Sequence, residues 1–520
     1  MRVSERLSEL LGSYGIREAF GNPGTTELPF LEDLHQKYYL TLHDAIAVGA
    51  ADGLSLVTRS VTLANLHAAP GLGNSIGFLD TARRNRSPVI VTVGQQDLRH
   101  LAQRPLLAGD LESMVQGLVK YAHEVRTPAE LEETIREAIH HALDWPMGPV
   151  LVSLPMNVME EVAGPPAAAG DPAAEPSYDV TPIAQRLRTA NNPVIVVGYE
   201  VDIFDGFLEV ATLAERLGCP VYAEPICSRS PIPSGLPNFA GDLLPQSALI
   251  SSILGLHDLV VLVGADLTLY PYSAAPLPSG RRMVYVGSDP TVASKFGCEA
   301  VIGNLRGILR DLLKVVPATG RSFRRPTDFA RANRVARAAQ RLGAEFIADA
   351  LARVFPDYTI VDESVSMIPT MKSVGFYHGK DSYFSSRSQQ LGWGLAASIG
   401  ISLRQPKTLV VLGDGALQYS VQALWTLGRY ELPTKVVVVN NGGYTILKSY
   451  SRANHPRLEK AEYLDLPGVD VEDLARAYGV PASTVTASDR LEVALRGLRD
   501  EEGPSLLNVE MDRSTPDLFS

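Results

Sequence analysis

The sequence has few cysteines, and their spacing argues against two kinds of site. Among 520 residues there are only 3 cysteines. Cys219, Cys227 and Cys298 form no CxxC pair and no cluster with histidines at metal-binding spacing. We therefore expect neither a zinc site nor a redox-active dithiol. Isolated thiols favour a reducing compartment, so we expect a cytoplasmic protein.

Long apolar runs and an excess of positive charge are also missing. No stretch of about 18 apolar residues predicts a membrane span. The opening residues, MRVSERLSELLGSYG, lack the apolar core of a secretory signal. With 58 acidic residues against 47 basic ones, the net charge is −11. We expect no membrane partner and no nucleic-acid partner.

Three α/β blocks are present instead. Apolar, strand-like runs alternate with helical stretches in residues 1–162, 179–320 and 342–520. A stretch rich in proline and alanine, 163–178, reads as a linker between the first two blocks, and a basic helical connector, 321–341, joins the last two. This strand–helix–strand order predicts three consecutive, doubly wound α/β domains with parallel sheets.

Two loop motifs in the third block predict a phosphate and metal site. The strand-like run Thr408–Leu412 leads into Gly413-Asp414-Gly415, and Lys435–Val439 leads into Asn440-Asn441-Gly442. Parallel strands end at the same edge of a sheet, where ligands of open α/β sheets bind. A carboxylate, an amide oxygen and a backbone carbonyl suit octahedral Mg²⁺ completed by phosphate oxygens. Glycines, and a helix expected from about Tyr419, favour the phosphate itself.

The paired motifs resemble the signature of the thiamine-diphosphate (ThDP) dependent decarboxylase and acetohydroxyacid synthase family. The resemblance covers nearly the whole chain, and it is strongest to the benzoylformate decarboxylase branch in FGNPGTTELPFL (Phe20–Leu31), NLHAAPGLGNSIG (Asn65–Gly77) and GQQ (Gly94–Gln96). It implies a pyrimidine-binding, a central and a diphosphate-binding domain. It also implies ThDP and Mg²⁺ bound between two subunits of a homodimer or homotetramer.

The resemblance also implies cofactor contacts residue by residue. Mg²⁺ would be held by Asp414, Asn441 and the carbonyl of Gly443. The diphosphate would meet the backbone at Gly413, Gly415, Ala416 and Tyr444. In the QQLGWG segment, Leu391 would support the bent cofactor, and the carbonyl of Gln389 would accept a hydrogen bond from the aminopyrimidine amine.

An aspartate stands where the family has its cofactor-activating glutamate. The matching segment, LHDAIAVGAADG, places Asp44 there, so the reach of the carboxylate is one methylene shorter. A loss of roughly 1 Å matters at hydrogen-bond distances. Three outcomes stay open: a repositioned helix, a bridging water, or a slower enzyme. The alternative is a carboxylate that merely begins a helix; Asp52, two turns further along, is a weaker candidate.

Two further residues match the catalytic set of the family. His67 follows the strand-like run Val61–Leu66 and would orient the substrate carboxylate and move protons; otherwise it is a structural histidine. Thr25, in GNPGTTE, replaces the serine that binds the substrate carboxylate in benzoylformate decarboxylases. His43 is expected to point elsewhere.

One catalytic group of the benzoylformate decarboxylases is missing. Their second active-site histidine, which helps to protonate the product after CO₂ leaves, is matched here by Pro271 between Tyr270 and Tyr272. Its absence weakens the assignment to simple decarboxylation. A product that is not promptly protonated can instead add to a second carbonyl, which is carboligation.

The expected substrate pocket mixes apolar and polar side chains. It comprises Leu106, Leu107, Ile446, Tyr450, Ser385, Ser386 and Arg387. Arg387 either meets a substrate carboxylate or phosphate or lies at a surface. The mixture indicates a substrate other than benzoylformate. The central block has no GxGxxG after its first strand, VVGYEVD, so we expect a structural role for it.

These features predict ThDP- and Mg²⁺-dependent decarboxylation of a 2-oxo acid, with carboligation to an acceptor aldehyde or ketone as a further capacity. A dedicated carboligase or C–C lyase resembling acetolactate synthase is an alternative. A second is a ThDP-binding protein with little catalysis, which Asp44 and Pro271 would favour.

Overall fold

Three sheets of six parallel strands organise the chain. The computed structural model describes residues 1–163, 177–270, 274–325, 331–516 and 518–519. The expected fold class of three doubly wound α/β domains is confirmed. The expected linker falls mainly on residues outside the described ranges. Within the described residues, no helix is both long and apolar enough to cross a bilayer.

The first sheet has the strand order β2-β1-β3-β4-β6-β5. Its strands are β1 Glu18–Gly21, β2 Lys37–Leu40, β3 Thr62–Leu66, β4 Val89–Gln95, β5 Ala122–Glu124 and β6 Val150–Pro155. The helices around it are α1 Val3–Ser13, α2 Leu28–Glu32, α3 Asp44–Thr58, α4 Ala68–Asn85, α5 Leu111–Met114, α6 Leu131–Leu143 and α7 Met156–Glu160. The inner strands are buried on both faces, which is why they read as continuous apolar runs.

The central sheet has the order β12-β11-β10-β7-β8-β9. Its strands are β7 Pro193–Val197, β8 Val221–Ala223, β9 Phe239–Asp242, β10 Leu259–Val263, β11 Met283–Gly287 and β12 Glu299–Ile302. Its helices are α8 Thr181–Thr189, α9 Glu200–Ile203, α10 Phe207–Leu217, α11 Ser247–Leu254, α12 Pro290–Phe296 and α13 Leu305–Val315. The basic connector contains α14, Arg331–Ala339.

The third sheet has the order β14-β13-β15-β16-β18-β17. Its strands are β13 Thr359–Glu363, β14 Tyr383–Phe384, β15 Thr408–Gly413, β16 Thr434–Asn440, β17 Ala482–Val485 and β18 Ser505–Glu510. Its helices are α15 Ala344–Val354, α16 Ile368–Ser373, α17 Trp393–Ser402, α18 Asp414–Leu417, α19 Ala423–Arg429, α20 Thr445–Asn454, α21 Val471–Ala477 and α22 Ser488–Asp500.

The helix expected from about Tyr419 is placed differently by the structure. A single turn, α18, begins at Asp414 itself, and α19 starts only at Ala423. Between them the backbone makes tight turns, in which Tyr419 N donates to Ala416 O and Ser420 N to Leu417 O. The helix geometry therefore begins inside the GDG motif, and not after it.

Helices α3 and α17 pack against each other within one compact unit, which holds the first sheet and most of the third and is made of Met1–Asp171, Val361–Ser366 and Ser386–Ser520. Every residue of α17 is buried, and the two backbones touch. A Cβ on Gly53 would lie 2.0 Å from the carbonyl oxygen of Ala397, and a Cβ on Gly400 would lie 2.0 Å from that of Ala50. Only glycine permits this approach.

The central sheet belongs to the second unit, Pro172–Ile360 with Met367–Ser385, and its carboxyl edge is occupied by two buried glutamates. Glu200 accepts hydrogen bonds from Tyr285 Oη at 3.0 Å and from Ser288 N at 2.8 Å. Burial raises the pKa of Glu200 to about 7. Glu224 accepts from Tyr199 N and Asp266 N. The backbone N–H groups of Tyr199, Asp266 and Ser288 at this edge therefore donate to glutamates of the same domain.

Candidate active site

The carboxyl edge of the first sheet brings three predicted residues together. β1 and β3 are neighbouring parallel strands, so the loop after β1, which carries Thr25, faces His67 at the end of β3. A Cβ on Gly24 would lie 1.9 Å from His67 Nδ1, which shows how closely the loop approaches the imidazole. Asp44 begins α3 beside them, and its Oδ1 accepts a hydrogen bond from His67 N at 3.0 Å.

A residue missed in the sequence, Glu27, is the centre of this arrangement. Its side chain is fully buried. Its carboxylate accepts hydrogen bonds from Gly24 N at 2.8 Å, from Thr26 Oγ1 at 2.8 Å and from Ala68 N at 3.1 Å, and it faces His67 Nδ1 at 2.9 Å. The signal was present, because Glu27 is the acidic residue within the GNPGTTE motif itself.

Glu27 defines the chemistry of His67. An ionised carboxylate only accepts hydrogen bonds, so the proton of a neutral His67 belongs on Nδ1, and Nε2 presents a lone pair. The side chain of His67 is 25% exposed, so it is accessible although its partner is not. This arrangement allows Nε2 to take up or deliver a proton, with Nδ1 held by the carboxylate.

Asp44 is buried, with 4% of its surface exposed. Besides the bond from His67 N, Asn22 Nδ2 lies 3.5 Å from its Oδ2. The carboxylate also rests against α4, since a Cβ on Gly71 would lie 2.4 Å from Oδ1. The predicted carboxylate is thus fixed at the site edge of its own domain, and its role toward a cofactor stays a prediction.

His43, Asp52 and Tyr38 lie around the site and make contacts within the protein. His43 caps α3 by accepting a hydrogen bond from Ala45 N at its Nδ1. Asp52 is fully buried and bonded to Asn85 Nδ2 at 2.9 Å, Trp393 Nε1 at 2.6 Å and Ser87 Oγ. The pKa of Tyr38 is raised by burial first, and then by the charges of Glu27 and Asp44, so its hydroxyl stays neutral.

The carboxyl edge of the third sheet brings the two loop motifs together, as expected. β15 and β16 pair in parallel, with Gly413 opposite Val439. Asp414 therefore lies beside the loop that follows β16, where the backbone N–H groups of Asn441 and Gly442 favour the ionised form of its carboxylate and so act to lower its pKa. Burial raises the pKa of Asp414, and these N–H groups oppose that shift.

The oxygens at this edge fit a hard divalent cation. Asn441 Oδ1 is buried and has no hydrogen-bond partner among the described residues, and a buried amide oxygen without a partner is costly unless a ligand binds it. Asp414 supplies a buried carboxylate. The carbonyl of Gly443 accepts from Thr445 N at 3.1 Å and keeps a second lone pair. This set of carboxylate, amide and carbonyl oxygens suits Mg²⁺.

The residues expected to bind the diphosphate surround these oxygens. The Tyr444 ring covers Gly415, where a Cβ would lie 2.9 Å from Tyr444 Cε1. Apart from its chain neighbours, no residue in the described ranges has an atom within 4 Å of a Cβ built on Gly413, so that backbone is open to a ligand. Ala416 is in α18. Ile446 and Tyr450 follow on α20, where Tyr450 packs edge-on against Phe519 at a ring distance of 5.3 Å.

The segment before α17 carries the remaining cofactor residues. Gln389 has a φ of +58°, a left-handed conformation that few non-glycine residues adopt, and its Nε2 donates to Ser386 O at 2.6 Å. Leu391 is partly buried two residues later. Such a conformation persists only where the surroundings hold it, which is common at functional sites.

The residues predicted to line the substrate pocket differ in exposure and in their contacts. Leu106 and Leu107 are exposed, and the carbonyl of Leu107 accepts from Ala69 N, next to His67. Arg387 Nη1 donates to the carbonyl of Arg84 at 3.3 Å, at the end of α4, which favours the surface alternative. The hydroxyls of Ser385 and Ser386 are both hydrogen-bonded within the protein. Pro271 and Tyr272 lie outside the described residues.

Two groups of site residues therefore exist, one on each sheet edge. The first contains Thr25, Glu27, Asp44, His67, Leu106 and Leu107; the second contains Asp414, Asn441, Gly443, Tyr444, Ile446 and Tyr450. The side-chain hydrogen bonds of Glu27, Asp44 and His67 all run to residues of the first domain. The packing of α3 on α17 connects the domains that carry the two edges.

Comparison with known proteins assigns all three domains. Residues 1–118 match the N-terminal TPP-binding domain of thiamine pyrophosphate enzymes, residues 180–312 match the central domain, and residues 368–509 match the C-terminal TPP-binding domain. The chain belongs to the thiamine pyrophosphate (thiamine diphosphate) enzyme family. It is a ThDP-dependent enzyme.

Within that family the chain is similar to benzoylformate decarboxylases. It is 33% identical to the benzoylformate decarboxylase of Pseudomonas aeruginosa over 98% of both chains. It is 27% identical to a putative acetolactate synthase large subunit of Mycobacterium tuberculosis, over 98% of this chain and 99% of that one. The structure of the benzoylformate decarboxylase of Polynucleobacter necessarius has a TM-score of 0.92 at 30% identity, with all of both chains covered.

Glu27→Gln is expected to change the tautomer of His67. Glutamine has one acceptor oxygen in place of two. With that oxygen at the Oε1 position, where Ala68 N and Thr26 Oγ1 donate, its NH₂ group takes the Oε2 position, faces Nδ1 and moves the imidazole proton to Nε2. Turnover should then fall roughly 10²- to 10⁴-fold. Selective ¹⁵N-histidine NMR reports the tautomer. Glu32→Gln, on the exposed end of α2, is the matched control; an unchanged tautomer in the Glu27 variant would refute the role of Glu27.

Proposed function

We propose that this enzyme decarboxylates a 2-oxo acid without oxidation, using ThDP and Mg²⁺. The observation that carries the proposal is the buried Glu27 carboxylate 2.9 Å from Nδ1 of an accessible His67. This pair lies beside Asp44, in a chain similar over nearly its whole length to benzoylformate decarboxylases. A histidine with a fixed tautomer, next to a second carboxylate, provides the proton transfers that such a reaction needs.

The chain's own residues have separate tasks in this proposal. Asp414, Asn441 and the carbonyl of Gly443 would hold Mg²⁺, and Gly413, Gly415 and Ala416 would receive the diphosphate. When bound, ThDP supplies a carbon nucleophile and an electron sink. Asp44 would hold the proton that activates the aminopyrimidine ring. His67 Nε2 and the Thr25 hydroxyl would orient the substrate carboxylate, and His67 would exchange a proton with the reacting centre.

The residues near His67 favour a substrate with an apolar side chain. Leu106 and Leu107 are 87% and 44% exposed, and the Leu107 carbonyl is bonded to Ala69 N at the start of α4. Solved relatives include a 4-hydroxybenzoylformate decarboxylase from Rhodococcus jostii RHA1, with a TM-score of 0.91 and 32% identity over 99% of this chain and 100% of that one. We therefore place aryl and branched 2-oxo acids above pyruvate.

Carboligation is the second candidate, and one sequence feature favours it. The stretch GADLTLYPYS has no histidine where benzoylformate decarboxylases have their second one. A product that is protonated slowly has time to add to an acceptor aldehyde. The similarity to a putative acetolactate synthase subunit points in the same direction.

We also propose a homodimer or homotetramer in which each cofactor lies between the first domain of one chain and the third of another. The side-chain hydrogen bonds of Glu27, Asp44 and His67 all run to residues of the first domain. Large apolar side chains are exposed near both groups: Leu28 and Leu106 on the first domain, and Tyr419, Leu447 and Tyr463 on the third. A second subunit would cover such side chains.

A panel of 2-oxo acids tests the reaction. The holoenzyme is incubated with benzoylformate, 4-hydroxybenzoylformate, a branched aliphatic 2-oxo acid and pyruvate, each with and without benzaldehyde. We expect ThDP-dependent CO₂ release from 4-hydroxybenzoylformate or the branched acid, and benzoylformate tests the substrate that the mixed pocket argues against. Ligated hydroxyketone in excess of free aldehyde would favour the carboligase. CO₂ release from none of them would refute the decarboxylase proposal.

Variants at Asp44 test cofactor activation. Asp44→Glu and Asp44→Asn should both bind ThDP as the wild type does, since Asp44 is not part of the diphosphate or metal edge. Hydrogen–deuterium exchange at C2 of bound ThDP should be at least as fast in the glutamate variant, which has the longer reach. It should be roughly 10²-fold slower in the asparagine variant. Equal exchange in all three proteins would show that Asp44 has another task.

A pair of inactive variants tests the shared site. Asp414→Ala should lose Mg²⁺-dependent ThDP binding, whereas His67→Ala should keep binding and lose turnover. Co-expressed, the two variants should recover partial activity, because one of the two sites in a mixed dimer then has both wild-type residues. Asp473→Asn, on exposed α21, is the control for Asp414. No recovery in verified mixed dimers would place the whole site within one chain.

A further inference from the structure

Two buried carboxylates hold the first turn of α17. Glu363, the last residue of β13, is 5% exposed. Its Oε1 accepts a hydrogen bond from Gly392 N, and its Oε2 accepts one from Gly394 N at 2.7 Å. Asp52 of α3 accepts from Trp393 Nε1 at 2.6 Å. Three consecutive residues, from Gly392 to Gly394, are thus each bonded to one of the two acids.

The close packing at this turn requires the two glycines of QQLGWG, Gly392 and Gly394. Gly392 has a φ of +87°, and a Cβ there would lie 2.7 Å from Tyr419 Cβ. A Cβ on Gly394 would lie 2.9 Å from Glu363 Oε2. The carboxylate therefore meets bare backbone at a helix N-terminus, where the first N–H groups have no partner within the helix and the helix dipole favours negative charge.

The segment directly before this turn carries the two residues assigned to the cofactor. Leu391 precedes Gly392, and Gln389 is two residues further back in its left-handed conformation. The Gln390 side chain bonds to the carbonyl of Leu391 at 3.2 Å. A shift of the Gly392 backbone would move Leu391 directly, and it would change the direction of the Gln389 carbonyl.

We propose that Glu363 is a positioning residue for the cofactor: by holding Gly392 N and Gly394 N, it fixes Leu391 and the Gln389 carbonyl in the geometry that ThDP requires. This inference rests on the proposed function of those two residues. Glu363 itself touches neither cofactor nor substrate in this assignment. It acts through the backbone of the segment that does.

The hydrogen bonds from Gly392 N and Gly394 N to Glu363 make the affinity for ThDP depend on pH. Burial raises the pKa of Glu363 to about 8, and the nearby charge of Asp362, on the same strand, adds to this, whereas the N–H groups of Gly392, Trp393 and Gly394 oppose it. An ionised carboxylate accepts both hydrogen bonds. A protonated carboxyl must direct its own O–H elsewhere and holds the turn less well. Affinity for ThDP should therefore fall as the pH is lowered through about 8.

The test compares two buried glutamates of the same protein. Apoprotein of the wild type, Glu363→Gln and Glu200→Gln is titrated with ThDP and Mg²⁺ between pH 6.5 and 9, with tryptophan fluorescence as the readout. Thermal unfolding of the apoprotein shows that each variant is folded. Glu200, which burial also shifts, lies at the edge of the central sheet and is the matched control.

We expect Glu363→Gln to bind ThDP roughly 10- to 100-fold more weakly than the wild type at pH 9, with little dependence on pH. Glu200→Gln should follow the wild-type curve. Wild-type affinity and wild-type pH dependence in Glu363→Gln would overturn the proposal. Failure of the wild type to bind ThDP at any pH would instead speak against the proposed function.

A second variant covers the case in which Glu363→Gln does not fold. Gly394→Ala places a methyl group 2.9 Å from Oε2 and displaces the carboxylate without removing its charge. It should weaken ThDP binding, whereas Gly497→Ala, at a helical glycine whose Cβ would meet no atom within 4 Å, should not. Unchanged affinity in Gly394→Ala would also overturn the proposal.

Discussion

Backbone N–H groups at helix N-termini that bind buried carboxylates are the interaction on which this site depends. At the start of α4, His67 N donates to Asp44 and Ala68 N donates to Glu27. At the start of α17, Gly392 N and Gly394 N donate to Glu363. A buried carboxylate without such partners would be strongly destabilising. The N-terminus of α4 therefore stabilises the buried Asp44 and Glu27 beside His67. The N-terminus of α17 stabilises Glu363, which in turn fixes the backbone before that helix.

The parallel sheets explain why these acids meet the right partners. In a doubly wound sheet every strand delivers its following residues to the same edge, and each crossover helix begins there. β1 and β3 thereby bring the loop with Glu27 to His67, and β15 and β16 bring Asp414 to Asn441. The contact of α3 with α17 then holds the two edges within one unit, since its glycines let the two backbones approach closely.

The fold class could be predicted from the alternation of apolar strands with helical stretches. The meeting of Gly413-Asp414-Gly415 with Asn440-Asn441 could be predicted from the distance between the two motifs along the chain. Apolar runs mark the strands, and parallel topology places their ends together. The sequence did not predict Glu27 or Glu363, since a single acidic residue in a loop or at a strand end has no periodic signal. Their roles appear only through bonds to distant backbone, such as Gly394 N, thirty-one residues along the chain. The start of α18 at Asp414 was missed for a related reason. The Gly413-Asp414-Gly415 motif is typical of a turn, but Gly415 can equally adopt a helical conformation.

The same bonds restrict how a substrate anion can be recognised. The N–H groups of His67, Ala68 and Ala69 at the start of α4 are bonded to Asp44, Glu27 and the carbonyl of Leu107, so they are not available to a 2-oxo acid. Two buried carboxylates also make this edge electronegative, which opposes an anionic substrate. In our proposal, the Thr25 hydroxyl and His67 recognise the substrate carboxylate. Since His67 is also the proton carrier in our proposal, binding and proton transfer would depend on the same imidazole, and Glu27 would control both.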